Sequence, residues 1–382
     1  MTRRLAVART ALVCAAASLA IAVAPVARAS AQSLPTRLDD STFWRLIGDI
    51  SEPGGYFRSN NFVGNETTLQ WVIPELQRTV QPGGAYLGVG PDQNFTYLIA
   101  LKPKIAFIVD IRRQNMLTLL MYKALIEQSS DRADFVSRLF SRQRPAGLDS
   151  SSSPEAIFAA FARVPADSVG YYRNIAALKD RLTRQHGFKL TDSDLAAITV
   201  VYNAFVDAGP DINYNYTPNG GTGYGRGRMP SYAEMSSGTD SVGLHRGYLG
   251  TEANFRTLKE MEVDNLIVPV VGDFAGPKAL RAIGSYLKDH HAVVTTFYLS
   301  NVEQYLFQQN DDWSKFYTNA STLPIDSTST FIRSVFGGMG YYGGGGGGFM
   351  RGQQLLASMM TQLKLFADGH LTSYGAVIQS SH

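Results

Sequence analysis

Residues 38–50 place Phe43, Leu46, Ile47 and Ile50 at helical spacing behind two capping candidates, Asp40 and Ser41. A polar loop follows at 51–65, marked by Gly54-Gly55 and Asn60-Asn61. Residues 67–80 predict a second helix, which Pro74 kinks or delays. From Ala85 the period changes. Residues 85–90 form a short apolar run ending in glycines, a buried strand, and 95–102 a short helix. Residues 105–110 are a second apolar run, rich in branched side chains. Residues 114–127 are apolar nearly all round (Met116, Leu117, Leu119, Leu120, Met121, Leu125), which predicts a buried helix.

The middle of the chain lacks strand patterns. Residues 131–208 predict several helices, broken by Pro145-Ala-Gly, by Ser150–Ser153 and by Gly187. Residues 209–250 are a glycine- and tyrosine-rich loop centred on Gly220–Arg228; a loop that long in a compact domain is functional or disordered. Alternation then returns: a helix at 251–263, a strand at 265–273, a helix at 277–287 with Pro277 near its first position, a strand at 291–299 and a helix at 301–308. A strand at 328–336, the glycine run 343–348, a helix at 350–366 and a last strand at 371–378 complete the reading. Pro269 inside a strand would remove a ladder hydrogen bond and so marks an edge or a bulge.

Strand, helix, strand, helix predicts an α/β fold: a mostly parallel, Rossmann-like sheet with helices on both faces and a helical insertion. Four segments follow: a signal peptide at 1–31, the N-terminal helices and first half of the sheet at 32–130, the insertion and loop at 131–250, and the second half of the sheet at 251–382.

The first segment bears on charge and compartment. Arg3, Arg4 and Arg9 precede an apolar stretch from Ala11 to Val23, and small residues near Ala29 and Ala31 suit a signal peptidase. This predicts export to the periplasm or beyond, without stable membrane insertion once the signal is removed; the competing expectation, an uncleaved anchor, is weakened by the short stretch. The 382-residue chain carries a formal charge of +3, but removing the four arginines of this segment leaves 31 basic residues against 32 acids. That argues against nucleic acid as a partner and leaves a small-molecule ligand. Cys14 is the only cysteine, so a cleaved chain has neither disulfides nor thiolate metal sites.

In an open parallel sheet, ligands bind beyond the carboxyl ends of the strands. The residues there are Gly88, Gly90, Asp92 and Asn94 after the first strand, Asp110 and Arg112 after the second, Asp273 after the third, and Asn301 after the fourth. Gly88-Val89-Gly90 begins a glycine-rich nucleotide loop, and Asp110 lies 20 residues on, where an acid can take ribose hydroxyls. Gln93 stands where a dinucleotide fingerprint has its third glycine. Two glycines and a distal acid suffice for S-adenosylmethionine, which has no phosphate, and residues 85–122 and 265–305 resemble the class I methyltransferases. That resemblance implies a cofactor cradle of Gly88, Gly90, Asp92, Asn94, Asp110 and Arg112. The polar loop ahead of the first strand would supply Asn61 and Glu66 to a ligand, with Asp273 and Asn301 facing substrate. The competing reading has the glycines serving helix–strand packing, Asp110 capping a helix or pairing with Arg112, and the loop merely turning. Segments 43–66 (FWRLIGDISEPGGYFRSNNFVGNE), 86–97 (YLGVGPDQNFTY) and 107–113 (FIVDIRR) also look like a family of uncharacterised bacterial proteins, whose membership implies no established activity.

Other chemistries lack their motifs. There is no P-loop, no His-Glu-x-x-His and no Gly-x-Ser-x-Gly, and no metal is expected. His245 is the best acid–base candidate among scattered histidines, though an ordinary loop role is the simpler expectation. A nucleotide-type cofactor and an export signal point to different compartments. Two readings follow: a methyltransferase-like enzyme, or a non-catalytic exported module that binds a ligand or protein through the same crevice.

Overall fold

A computed structural model describes residues 33–217, 228–336 and 352–382. The expected signal segment 1–31, most of the glycine-rich centre at 220–228 and the glycine run 343–348 lie outside the described residues. The elements are α1 (Asp40–Ile50), α2 (Ile73–Thr79), β1 (Ala85–Gly88), α3 (Gln93–Leu101), β2 (Ile105–Asp110) and α4 (Arg113–Gln128). Next come α5 (Arg132–Leu139), α6 (Pro154–Ala162), α7 (Ser168–Asp180), α8 (Asp192–Ala208), α9 (Tyr232–Ser236) and α10 (Glu252–Val263). The remainder is β3 (Ile267–Val271), α11 (Ala279–Asp289), β4 (Val294–Ser300), α12 (Val302–Leu306), α13 (Asp312–Ala320), β5 (Thr330–Phe336), β6 (Gly352–Ser358), α14 (Met359–Ala367) and α15 (Tyr374–Gln379).

The protein is an α/β fold around one six-stranded, mostly parallel sheet in the order β3-β2-β1-β4-β5-β6. β1 pairs in parallel with both β2 and β4, so the strand order switches direction across the sheet at that junction while the strands stay parallel. Only β6 runs antiparallel, along β5. Strands β1, β2 and β3 are buried on both faces, which explains their unbroken apolar runs. Alternate residues of β4 meet helices of different groups. Phe297 packs edge-on to Phe274 and Phe316 (α13), whereas Tyr298 packs on Tyr97 (α3). On the α13 side Phe107 meets Tyr286 of α11. β3 is an edge strand, which is why Pro269 is tolerated in it.

Several expectations need correction. Asp39, not Asp40 or Ser41, caps α1 by accepting from the Thr42 amide at 2.9 Å. The second helix starts only at Ile73, with Pro74 in its first turn, where a missing N–H costs nothing. Pro277 precedes its helix, whose N-cap is Lys278. The helix expected at 350–366 is a strand followed by a helix. Leu355, Leu356 and Ala357 suit either state, and pairing with β5 decides for β. The strand expected at 371–378 is instead the short helix α15, capped by Ser373. Helix α13 was not anticipated, and the 209–250 loop contains α9.

Candidate functional site

A cleft of about 850 Å³ opens beyond the carboxyl ends of the parallel strands. Val89 and Gly90 reach it from β1, Asp110 from β2, Gly272 and Asp273 from β3, Ser300 and Asn301 from β4, and Phe336 from β5. The segment 56–61 and Tyr214–Thr217 supply further walls. This is where an open α/β sheet presents a ligand site, and the volume suits a small organic molecule.

The glycine bend is built for close approach. Gly90 has φ +81, and a Cβ there would lie 3.0 Å from Gln93 Nε2. At Gly88 a Cβ would lie 2.0 Å from Asn94 Oδ1. Asn94 is fully buried; its Nδ2 donates to the carbonyls of Val89, Gly90 and Pro91, and its Oδ1 accepts from Tyr86 OH at 2.9 Å. Asn115 Nδ2 of α4 donates to the Gly90 carbonyl at 3.0 Å. Gly88 and Asn94 therefore shape the bend from behind and do not line the cleft.

Asp92 also turns away. Its Oδ2 accepts from Tyr248 OH at 3.1 Å, and Tyr248 in turn lies 2.5 Å from Tyr232 OH. Burial pushes the Asp92 carboxyl up to about 6, against the lowering effect of Tyr248. A hollow of about 20 Å³ beside it, distinct from the cleft, has room for a single water.

Asp110 reaches the cleft already engaged. Its Oδ1 accepts from the Arg112 amide (2.9 Å) and Nε (3.0 Å), and its Oδ2 accepts from Arg112 Nη2 at 2.8 Å. Arg112 Nη1 donates onward to the carbonyls of Ser59 (3.0 Å) and Asn60 (2.6 Å). Both members of the pair are buried, at 4% and 6% exposed. The pair fixes the preceding loop over the end of β2, and Oδ2 accepts only one of these hydrogen bonds.

Glu66 lines the cleft beyond the end of β4 and is 1% exposed. Its Oε1 accepts from Tyr298 OH (2.6 Å) and Ser300 Oγ (2.5 Å), and its Oε2 from Gln354 Nε2 (3.0 Å). Burial first, and then the charge of Glu66, pushes the Tyr298 and Tyr97 phenols well above their ordinary value. Asp273 is half-buried; its Oδ1 accepts from the Ala275 amide, and burial together with Asp312 and Glu52 raises its carboxyl.

Three lining residues have left-handed backbones: Gly90, Asn61 (φ +48) and Ser300 (φ +49). Ser300 follows a register shift at the end of β4. Strained, non-glycine positions of this kind concentrate at ligand sites.

Of the residues singled out in the sequence, Asn61, Glu66, Gly90, Asp110, Arg112, Asp273 and Asn301 line the cleft together. His245 does not; it lies 3.3 Å from Glu155 and meets the Gly238 carbonyl. Sequence reasoning missed the aromatic wall of Phe57, Tyr214, Tyr216 and Tyr305, although Tyr214-Asn-Tyr216 was a visible signal in the long loop. It also missed Gln354, because β6 was read as helix. Among the described residues no group of three or more His, Cys, Asp or Glu could hold a metal ion, and no helix is long and apolar enough to cross a membrane.

A family profile described as "Domain of unknown function (DUF7790)" matches residues 61–150 and 225–370. The chain belongs to the DUF7790 family. No curated protein matches it. The DUF7790 match includes the glycine bend, Asp110, Arg112, Glu66 and all six strands, and passes over 151–224, the interval that holds α6, α7 and α8.

Proposed function

We propose that the cleft binds S-adenosylmethionine or a related nucleoside, on a Rossmann-like, methyltransferase-like scaffold. The observation that carries this reading is the strand order. The sequence β3-β2-β1-β4-β5 in parallel, closed by an antiparallel strand, suits a class I methyltransferase-like sheet. The cleft sits at its switch point, with Gly90 and Asp110 on the wall. The residues fit such a ligand: the backbone at Gly90 carries no side chain to block approach, and Asp110 Oδ2 has a lone pair left for a ribose hydroxyl. The bound cofactor would supply a transferable methyl group. The chain's part is to orient it, through Asp110 and Asn61, and to hold a partner molecule near Asp273 and Asn301.

The test is isothermal calorimetry of the chain with S-adenosylmethionine. Saturable binding is expected. Asp110→Ala should weaken it roughly tenfold or more, the loss of a charge-assisted hydrogen bond. A flat titration of folded wild-type protein defeats the proposal.

A second reading is an exported, non-catalytic module that binds a ligand or protein in the same cleft. The Asp110–Arg112 pair favours it, because much of the carboxylate's hydrogen-bonding capacity already serves the loop. Binding without methyl transfer to any component of a cell-envelope extract would support this reading; transfer to one would remove it.

A further inference from the structure

We propose that the β4 end of the cleft is a subsite for a protonated amine, with Glu66 as its anion. This rests on the cleft being a ligand site, and it adds the charge and donor character of what enters. Three carboxylates line the cleft. Asp110 is matched by Arg112, and Asp273 is only half-buried. Glu66 is buried, yet all three of its hydrogen bonds come from neutral donors, and no cation pairs with it among the described residues. Sequestering a carboxylate without a counter-charge is costly, and the cost is recovered when a ligand brings the charge.

An independent observation concerns Gln93, the neighbouring wall residue. It is 7% exposed; its Nε2 donates to Tyr298 OH at 3.3 Å and lies on the Gly90 side, whereas its Oε1, which accepts no hydrogen bond among the described residues, lies on the Gly64 side. Tyr298 passes its own proton toward Glu66. The wall thus offers, beyond the end of β4, the Glu66 carboxylate, whose Oε2 accepts a single hydrogen bond and retains acceptor capacity. A primary ammonium group brings that carboxylate both a positive charge and a hydrogen-bond donor. An anion does not. The amine has two possible sources: the amino-acid tail of an adenosyl ligand, or a separate amine substrate.

The probes are putrescine and its neutral isostere butanediol, titrated into the full chain and followed by amide NMR shifts at Gly90 and Ser300. Wild type is expected to prefer the diamine by roughly tenfold or more, about 1.4 kcal/mol. Glu66→Gln should bring the two within about twofold of each other, close to equal affinity. Gln354→Ala, which keeps the carboxylate, should preserve the preference. The carboxyl carbon resonance of Glu66 in wild type should move with putrescine and stay with butanediol, a readout independent of how any variant folds. Equal affinities in wild type, an unchanged preference in Glu66→Gln, or no binding of either probe overturns the proposal. A third titration, with S-adenosylmethionine, separates the sources: mutual exclusion with putrescine assigns the subsite to the adenosyl ligand's tail, and joint binding assigns it to a second substrate. A diamine preference in a chain that ignores S-adenosylmethionine sinks the nucleoside reading and leaves this one standing.

Discussion

Arg112 grips both carboxylate oxygens of Asp110, from Nε at 3.0 Å and from Nη2 at 2.8 Å, while its Nη1 holds the carbonyls of Ser59 and Asn60. One guanidinium therefore joins the end of β2 to the loop that walls the cleft. Phe57 lies 5.8 Å beneath the same group. The fork geometry matters more than the charge, because four of its N–H groups are aimed at fixed acceptors. Arg112→Ala leaves Asp110 buried without its partner and should cost about 3–5 kcal/mol in urea unfolding. Arg112→Lys should recover only a minor part of that, since an ammonium cannot span both sites. Hydrogen exchange at the Asn60 and Asn61 amides should accelerate in both variants; unchanged exchange would mean that the loop is held by other contacts.

Gly88 and Gly48 make a controlled pair. A methyl group at Gly88 would lie 2.0 Å from Asn94 Oδ1, in a fully buried network that holds the glycine bend. Gly88→Ala is expected to lose about 1–3 kcal/mol by overpacking and to disturb ligand binding at Gly90. Gly48 sits in α1 with nothing within 4 Å of a new methyl group. Gly48→Ala should therefore gain about 0.5–1 kcal/mol from helix propensity alone. Thermal denaturation of the two single variants checks both signs.

The sheet was legible where burial on both faces forced continuous apolar runs: β2 ends at Asp110 as its spacing implies, and β3 is an edge strand, one of the two settings, edge or bulge, that Pro269 left open. The site was legible as a set of strand-end positions, because topology brings such residues together whatever their chemistry. Orientation was not legible. Asn94 and Asp92 follow the bend as directly as Gly90 does, but the first turn of α3 points them into the packing behind it. The C-terminal elements were misread for a different reason. Residues 352–358 owe their β state to pairing with β5, a contact that no local pattern carries. The pairing of the buried Glu303 and Arg333, at 2.5 Å and tied to Ser381, was not legible because the two residues are distant in sequence.

A last prediction concerns a charge cluster on α1, α4, α10 and the turn after α7. Lys123 pairs with Glu127 at 2.7 Å, Arg181 and His186 also bind Glu127, and His186 reaches Asp40 at 2.8 Å. Burial raises Glu127, but the His186 hydrogen bond and the Lys123 charge outweigh it and hold the carboxyl down to about 2. Glu262, fully buried nearby, goes the other way: burial pushes it up to about 8, aided by Glu127 and opposed by Lys123. Its ordinary value is 4.5, so between pH 4.5 and 8 the folded chain keeps a proton that the unfolded chain releases. The stability from this group is complete below the lower value, falls as pH rises and levels off above the upper one. Asp92, raised to about 6, adds the same sign only at lower pH. Glu262→Gln keeps the shape and removes the titration. It should flatten the decline between pH 6 and 8, where the group contributes up to about 1.4 kcal/mol per pH unit, and should leave the decline below pH 6 that Asp92 produces. Urea unfolding of both proteins across that range decides the matter: parallel curves would show that Glu262 is ionised in the folded chain.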